Sequence, residues 1–512
     1  CENCKHRKLR CNRVLPRCTR CELREVECVY PQRVKRKTFT LSSRSPHATP
    51  GIGSITSSIP NRHSTVGREG AEHIDLTAIL NEALDEVQAR RQRTFAIRYI
   101  TEDVTISKEM ARNWIDCYFT MMTTDIFLGL IDRKLIELVP DLLESSHVTL
   151  DPAVLVVYFG ILYHGCSLSD ESDYPFGKAS SKYVEKLYIA CLRSIPGWQR
   201  EAKGTSTDLI AALFMSRVGL ASFDYKLCFS VYKDACKNAQ CLNLHMLDAK
   251  EDILLLKSAT LQDYRKGVWE LMHMDMFFHL LFNQPLRTSS SLEEWRVNLP
   301  QLDVKDVQAV PATAFLFNSR ITFIIARFFR VVKEGSTDAA AQLAEIESLC
   351  TETEELFDEW EIDGWIRRSS ITQLDCWLLA DSAIMGYTCI IFMLRRMIDP
   401  LAVSSGPVTS DMDIRNSPHA YNAAHHIIGL INFLMEKFST LETMSHLFGL
   451  YQCHIPFAYL ASNVRSSSDV EMLEKVANNI AKVTKDEADF LPLSNGLRLS
   501  LQVSKNSLTG IT

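Results

Sequence analysis

A chain of 512 residues exceeds what one hydrophobic core usually serves, and 46% hydrophobic with 23% charged residues is the balance of a packed globular protein, not of a disordered or fibrous one. The net charge of -6 hides an asymmetry: residues 1–37 carry 12 Lys or Arg against 4 Asp or Glu, and the remainder carries 44 against 58. A basic head on an acidic body confines nucleic-acid contact to one end and excludes the body as a DNA-binding surface.

Cysteine is equally uneven, with 6 of 16 in the first 28 residues. They form an internal repeat, Cys1-x2-Cys4-x6-Cys11 and then Cys18-x2-Cys21-x6-Cys28. No secretory signal stands before them, so they read as metal ligands rather than disulfides. The chain starts at Cys1 without an initiator Met, which points to a fragment or an incomplete gene model. Three thiolates per half cannot close a tetrahedral zinc shell, but two zinc ions each reach four ligands if two sulfurs are shared. The approximate two-fold repeat makes Cys1 and Cys18 the natural shared pair. Cys4 and Cys11 then complete one metal, Cys21 and Cys28 the other. A closed sulfur shell leaves no position for water or substrate, which excludes a catalytic zinc.

The two halves differ in charge. Between the second and third cysteines the first half reads Lys5, His6, Arg7, Lys8, Leu9, Arg10, and the second reads Glu22, Leu23, Arg24, Glu25, Val26, Glu27. Only the first suits a phosphate-lined groove. A short helix after Cys4 projects Arg7 and Lys8 toward the acceptors of guanine, while Lys5, Arg10, Arg13 and Arg17 grip phosphates. Leu9 and Val26 occupy matching positions and are expected inside the module.

Residues 1–31, CENCKHRKLRCNRVLPRCTRCELREVECVYP, resemble the DNA-binding domain of the fungal binuclear zinc cluster transcription factors in all six cysteines, the RKLRC run and the loop proline Pro16. The resemblance implies a cofactor of two zinc ions bridged through the first and fourth cysteines. It also implies a helix in the major groove reading CGG-type half-sites through Lys8 and secondarily Arg7. It further implies a regulator of RNA polymerase II genes in the nucleus, with double-stranded DNA, transcription coregulators, a homodimer mate and a small-molecule effector as candidate partners. The weighed alternative is a zinc-stabilised protein-interaction scaffold that reads no DNA.

Residues 32–70 read as a linker: Arg33, Lys35, Arg36 and Lys37 form a basic run suited to nuclear import or flanking phosphates, and 19 of the 33 residues from Thr38 to Gly70 are Ser, Thr, Gly or Pro. Within 71–99 a short amphipathic helix is expected, with a cap at Asp75 and Leu76, Leu80, Leu84 and Val87 on one face. That is under two heptads, so core packing is favoured over a zipper.

Residues 100–500 read as a large all-α regulatory domain. Helices are expected at Lys178–Arg193, Thr207–Phe223, Leu227–Leu242, Arg265–Phe282, Ala314–Val332, Ala339–Glu359, Leu374–Met397, Ala420–Phe438, Leu447–Ala461 and Val470–Val483. Breaks are expected at Ile195–Gly197 and Ser404–Val408. Val154–Tyr163 is β-branched enough for a strand, but a lone strand has nowhere to pair. Uninterrupted apolar runs such as Val154–Leu162 and Ala383–Leu394 are too short to cross a membrane, and no membrane partner is expected. The stretch around Trp269 is apolar on nearly every face and belongs inside the domain; Asp275 within it requires a partner.

This region resembles the middle homology region of the same family. Arg265, Trp269, Asp275, Pro285, Leu299 and Pro300 stand at the motif positions, with Met276 and Asn283-Gln284 departing from it. Cys228, Cys236, Cys241 and His245 lack the spacing of a second metal site, and His273 and His279 lack the Glu of an HExxH pair. Glu345–Asp363, acidic with interleaved Leu356, Phe357, Trp360 and Ile362, reads as an amphipathic helix in preference to an activation segment. Neither a phosphate-cradling Gly loop nor a nucleophile elbow occurs, so no enzyme is expected.

Overall fold

The computed structural model describes Cys21, Arg24 and, with internal gaps, residues 74–509; the gaps are 123–127, 146, 169–178, 250–257, 288–294, 302–308, 335–338, 369–370 and 398–416. The chain divides into two compact units, Cys1–Gly70 and Ala71–Thr512. Among the described residues of the second unit, every regular element is helical. The linker and the expected break at Ser404–Val408 lie outside the described residues.

The first helix, α1 (Leu76–Thr101), is capped by Asp75, whose carboxylate accepts from the Ala78 N–H at 3.0 Å. Such a cap contributes about 1 kcal/mol. Its stripe Leu76, Leu80, Leu84 and Val87 is buried against the last two thirds of the chain. After it come α2 (Lys108–Met121), α3 (Arg133–Leu142), α4 (Pro152–Leu168), α5 (Ala179–Glu201), α6 (Ser206–Ala221) and α7 (Tyr225–Cys241). The β-branched segment at 154–163 is thus helical, within α4. Its Gly165 meets the Trp114 carbonyl of α2 so closely that an added Cβ would sit 2.0 Å from that oxygen. Backbone-to-backbone approach of α2 and α4 therefore requires glycine.

The chain continues with α8 (Ser258–Phe282), α9 (Ala309–Glu334), α10 (Ala339–Glu359), the short α11 (Ile362–Ile366), α12 (Gln373–Met397), α13 (Pro418–Lys437), α14 (Leu441–Gly449), α15 (His454–Ser462), α16 (Ser467–Val483) and α17 (Leu491–Thr509). Two hydrophobic cores result, one among α2 to α8 with Phe95 of α1, the other among the leucine stripe of α1 and α8 to α17. Helix α8 serves both: Val268, Leu271 and Phe278 enter the first, Met276, Phe277, Leu280 and Leu281 the second. That position between two cores is why its sequence is apolar all round.

Three expectations are corrected. The break at Ile195–Gly197 does not occur, and α5 runs through Pro196 to Glu201. Burial of Ile195 and Trp198 on the final turns offsets the cost of the missing N–H, and Ser194 Oγ donates to the Cys191 carbonyl at 2.7 Å. The single helix expected at Leu447–Ala461 is two, parted at Gln452, which adopts φ 49°. Finally, α9 and residues 373–396 of α12 are long and apolar enough to cross a membrane by length and composition. A search for unbroken apolar runs passes over them because scattered polar residues interrupt both. In α12, 83% of the apolar window is buried by the protein's own helices.

The acidic segment at 345–363 spans α10 and α11. Ile346, Leu349, Cys350, Leu356, Phe357 and Ile362 are buried there, with acids on the outer face. It is an amphipathic core helix pair.

Candidate metal centre and nucleic-acid interface

In the head unit, Cys21 is helical and 1% exposed, and Arg24 is an exposed turn residue. Cys1, Cys4, Cys11, Cys18 and Cys28, together with Lys5, Arg7, Lys8, Arg10, Arg13 and Arg17, lie outside the described residues. The donor set is six thiols in two matched triplets, a soft, all-sulfur set of the kind that structural zinc prefers. The near-complete burial of Cys21 accords with a ligand turned away from water.

In the body, the second cysteine set does not gather into a site. Among the described residues no group of three or more His, Cys, Asp or Glu is placed to hold a metal. Cys228 and Cys236 are buried and Cys241 is exposed. The Cys228 sulfur lies 3.3 Å from Ser216 Oγ, and burial pushes its thiol up to about 12, which keeps it protonated and inert. His273, buried, meets Thr322 Oγ1 at 2.7 Å through Nδ1, and burial pushes its pKa down to about 4.

The motif residues of α8 form two staples that bind the following chain back onto the helix. At the first, Arg265 pairs with Asp248, its Nε at 3.2 Å from both carboxylate oxygens and its Nη2 also donating to Oδ1. The same carboxylate accepts from the Asn298 N–H at 2.5 Å, and Trp269 Nε1 donates to the Asn298 carbonyl at 3.1 Å. Arg265, Trp269 and the Leu299-Pro300 pair are thereby brought together, with Pro300 buried and Leu299 exposed. At the second, both oxygens of Asp275 accept from the Arg287 N–H, at 3.1 and 2.9 Å. That backbone N–H is a partner the sequence did not identify. Pro285 lies just before it, exposed, and Met276 is buried.

After Asn283-Gln284, a distant cation closes the end of α8. Arg396 of α12 donates to the carbonyls of His279 at 2.6 Å and Leu280 at 3.0 Å and to Asn283 Oδ1 at 2.8 Å. Asn283 itself adopts φ 53°, ending the helix in the left-handed region that Asn tolerates. Sequence reading missed Asp248 and Arg396, since neither carries a local signal that it serves α8.

A basic module with six thiols in two matched triplets has the donor set and charge of a zinc-stabilised nucleic-acid-binding module. Comparison with protein families makes the assignment specific: residues 1–37 match the fungal Zn(2)-Cys(6) binuclear cluster domain. The chain therefore carries that domain, which binds two zinc ions and DNA and belongs to a family of transcription factors, not enzymes, that is typically nuclear. Comparison with curated proteins and with solved structures returned no match.

Proposed function

We propose that the protein is a sequence-specific regulator of RNA polymerase II transcription in the nucleus, reading CGG-type half-sites through the major groove. Cys1, Cys4, Cys11, Cys18, Cys21 and Cys28 hold the two zinc ions, with Cys1 and Cys18 shared between them. Bound zinc supplies the fold of the head, because thiolate ligation replaces the hydrophobic core that so short a module cannot build. Lys8 and Arg7 meet base edges, and Lys5, Arg10, Arg13 and Arg17 hold phosphates. Residues 32–70 act as a tether, and the helical body governs output through coregulators or a small effector, with the staples of α8 keeping its two cores in register.

The observation that carries this reading is the confinement of net positive charge to the first of two otherwise matched cysteine repeats. A protein-interaction scaffold gives no reason for that asymmetry; a duplex does. The test is a gel shift of the full chain on CGG-containing and scrambled duplexes. Lys8→Ala should erase discrimination between them, at a cost of about 1–3 kcal/mol on the CGG site. Arg13→Ala should weaken both duplexes alike and lower the salt slope by about one. Equal retardation of both duplexes by the unmodified chain would leave the scaffold reading in its place.

A further inference from the structure

The buried stripe of α1 does not end on an apolar residue. Leu76, Leu80, Leu84 and Val87 are followed at helical spacing by Arg91 and Phe95, both buried, with Arg91 only 6% exposed. A guanidinium in that position loses hydration worth several kcal/mol unless a carboxylate or a full set of acceptors replaces the water. Arg91 receives far less. Its Nε donates to the Ser222 carbonyl at 3.1 Å, and its plane lies over the rings of Phe95 at 4.9 Å and Phe490 at 4.8 Å. Among the described residues no carboxylate lies within ion-pair distance of it, its charge acts on Glu487 only from farther away, and the Ser222 carbonyl is its one hydrogen-bond acceptor.

Arg91 lines a cleft of about 210 Å³. Phe95 of α1 and Tyr188 of α5 pack edge to face on each other, ring centroids 4.6 Å apart, and make one aromatic wall; Tyr99, Ala96, Leu192, Ser222 and Asp224 line the rest. Three of the nine lining residues, Phe95, Tyr99 and Tyr188, are aromatic, and the volume is somewhat above the ~150 Å³ that accommodates benzene. One ring with a short polar group fits. A carboxylate presents two coplanar oxygens to the fork of an arginine, the geometry that satisfies both unused nitrogens at once.

Asp224 sets the charge limit. Its oxygens already accept from the Leu227 N–H at 3.0 Å and the Tyr188 hydroxyl at 3.0 Å, so its side chain is fixed in place in the cleft. A second negative charge on the ligand would face it directly. Between Ser222 and Asp224 sits Phe223, held at φ 58°, a conformation costly for a bulky residue and maintained by packing on Phe490 at 5.5 Å between ring centroids. The Arg91 bond to Ser222 thus ties the candidate anion partner to the strained turn.

We propose that this cleft binds a small aromatic monocarboxylate, with Arg91 receiving the carboxylate and the ring lying against the wall that Phe95 and Tyr188 make together, beside Tyr99. It deepens the regulatory role proposed for the body, and its test needs no DNA, so failure of duplex reading and failure of this site are separately visible. Isothermal titration calorimetry of the zinc-loaded full chain would use benzoate, the neutral benzyl alcohol, the zwitterion phenylalanine and the dianion phthalate. Benzoate should bind saturably at one per chain and more tightly than the other three. Arg91→Met should weaken benzoate at least tenfold and leave benzyl alcohol within twofold. Because Arg91 is buried, a second variant is needed: Ala96→Leu, at an exposed cleft residue on α1, should block benzoate while circular dichroism stays unchanged. Absence of saturable benzoate binding at millimolar concentration, equal binding of benzyl alcohol, preference for phenylalanine or phthalate, or full benzoate binding by a folded Ala96→Leu chain would each overturn the assignment.

Discussion

Replacing Arg265 by Met tests whether the first staple of α8 is structural. The two side chains of the pair are 10% and 9% exposed, so removing the guanidinium leaves the Asp248 charge buried. Breaking such a pair costs about 3–5 kcal/mol, and the low end applies here because Asp248 keeps its bond from the Asn298 N–H at 2.5 Å. The body unit is about 440 residues, so at about 2.1 cal/mol/K per residue its unfolding entropy is about 0.9 kcal/mol/K if it melts as one unit. A loss of about 3 kcal/mol then lowers the melting temperature by about 3 °C. Differential scanning calorimetry would read this shift. Adding Asp248→Asn to Arg265→Met should restore part of it, because the orphaned charge is gone, giving a coupling of roughly 1.5–3 kcal/mol. Strict additivity of the two substitutions, or a single-mutant shift below the calorimetric error, would refute the account.

Three further outcomes follow from other sites. His454 donates through Nε2 to Asn81 Oδ1 at 2.8 Å, and burial, with the nearby Arg395 adding to it, pushes its pKa down to about 3; His273 lies at about 4. Both folded values lie below the unfolded one, so their stabilisation is intact above about pH 6.5 and is lost as pH falls from there toward 4, by up to about 1.4 kcal/mol per pH unit for each. Urea titrations from pH 7 to 4.5 should show this slope, and His454→Gln should flatten it; an unchanged slope would contradict the assignment. Asp208 caps α6 while accepting from Trp198 Nε1 at 2.8 Å, and Asp208→Ala should cost about 2–4 kcal/mol, from the cap and from an orphaned indole N–H. Thermal melts would read the loss. Chelating zinc should abolish duplex binding and leave body helicity intact by circular dichroism, whereas melting of the whole chain would show that the units are not independent.

Helical periodicity exposed most of the fold because each helix buries one stripe, a local pattern. The acidic run at 345–363 and the stripe of α1 were legible for that reason. Pro196 misled because proline reports on backbone chemistry alone, while burial of Trp198 two residues later is a tertiary fact. Gln452 misled in the opposite sense: nothing in its side chain announces the left-handed turn that parts α14 from α15. In the head, cysteine spacing made the chemistry readable without any fold. In the body, Arg265, Trp269 and Asp275 could be singled out, but Asp248 and the Arg287 N–H that answer them could not, since those contacts depend on loops returning across the helix. Extending the stripe of α1 by one more turn flags Arg91.

The packing of α1 on α15, on the turn at Ala488–Phe490 and on α17 reaches almost the full length of the body. Thr94 meets Asp489, Arg90 meets the Ala488 carbonyl, and His454 meets Asn81, contacts separated by 395, 398 and 373 residues. During synthesis the leucine stripe of α1 must therefore wait, uncovered, until the helices that cover it, α15 and α17, have been made. A nascent chain in that condition is a natural client for chaperones, and premature termination anywhere before α17 leaves a hydrophobic seam open to aggregation.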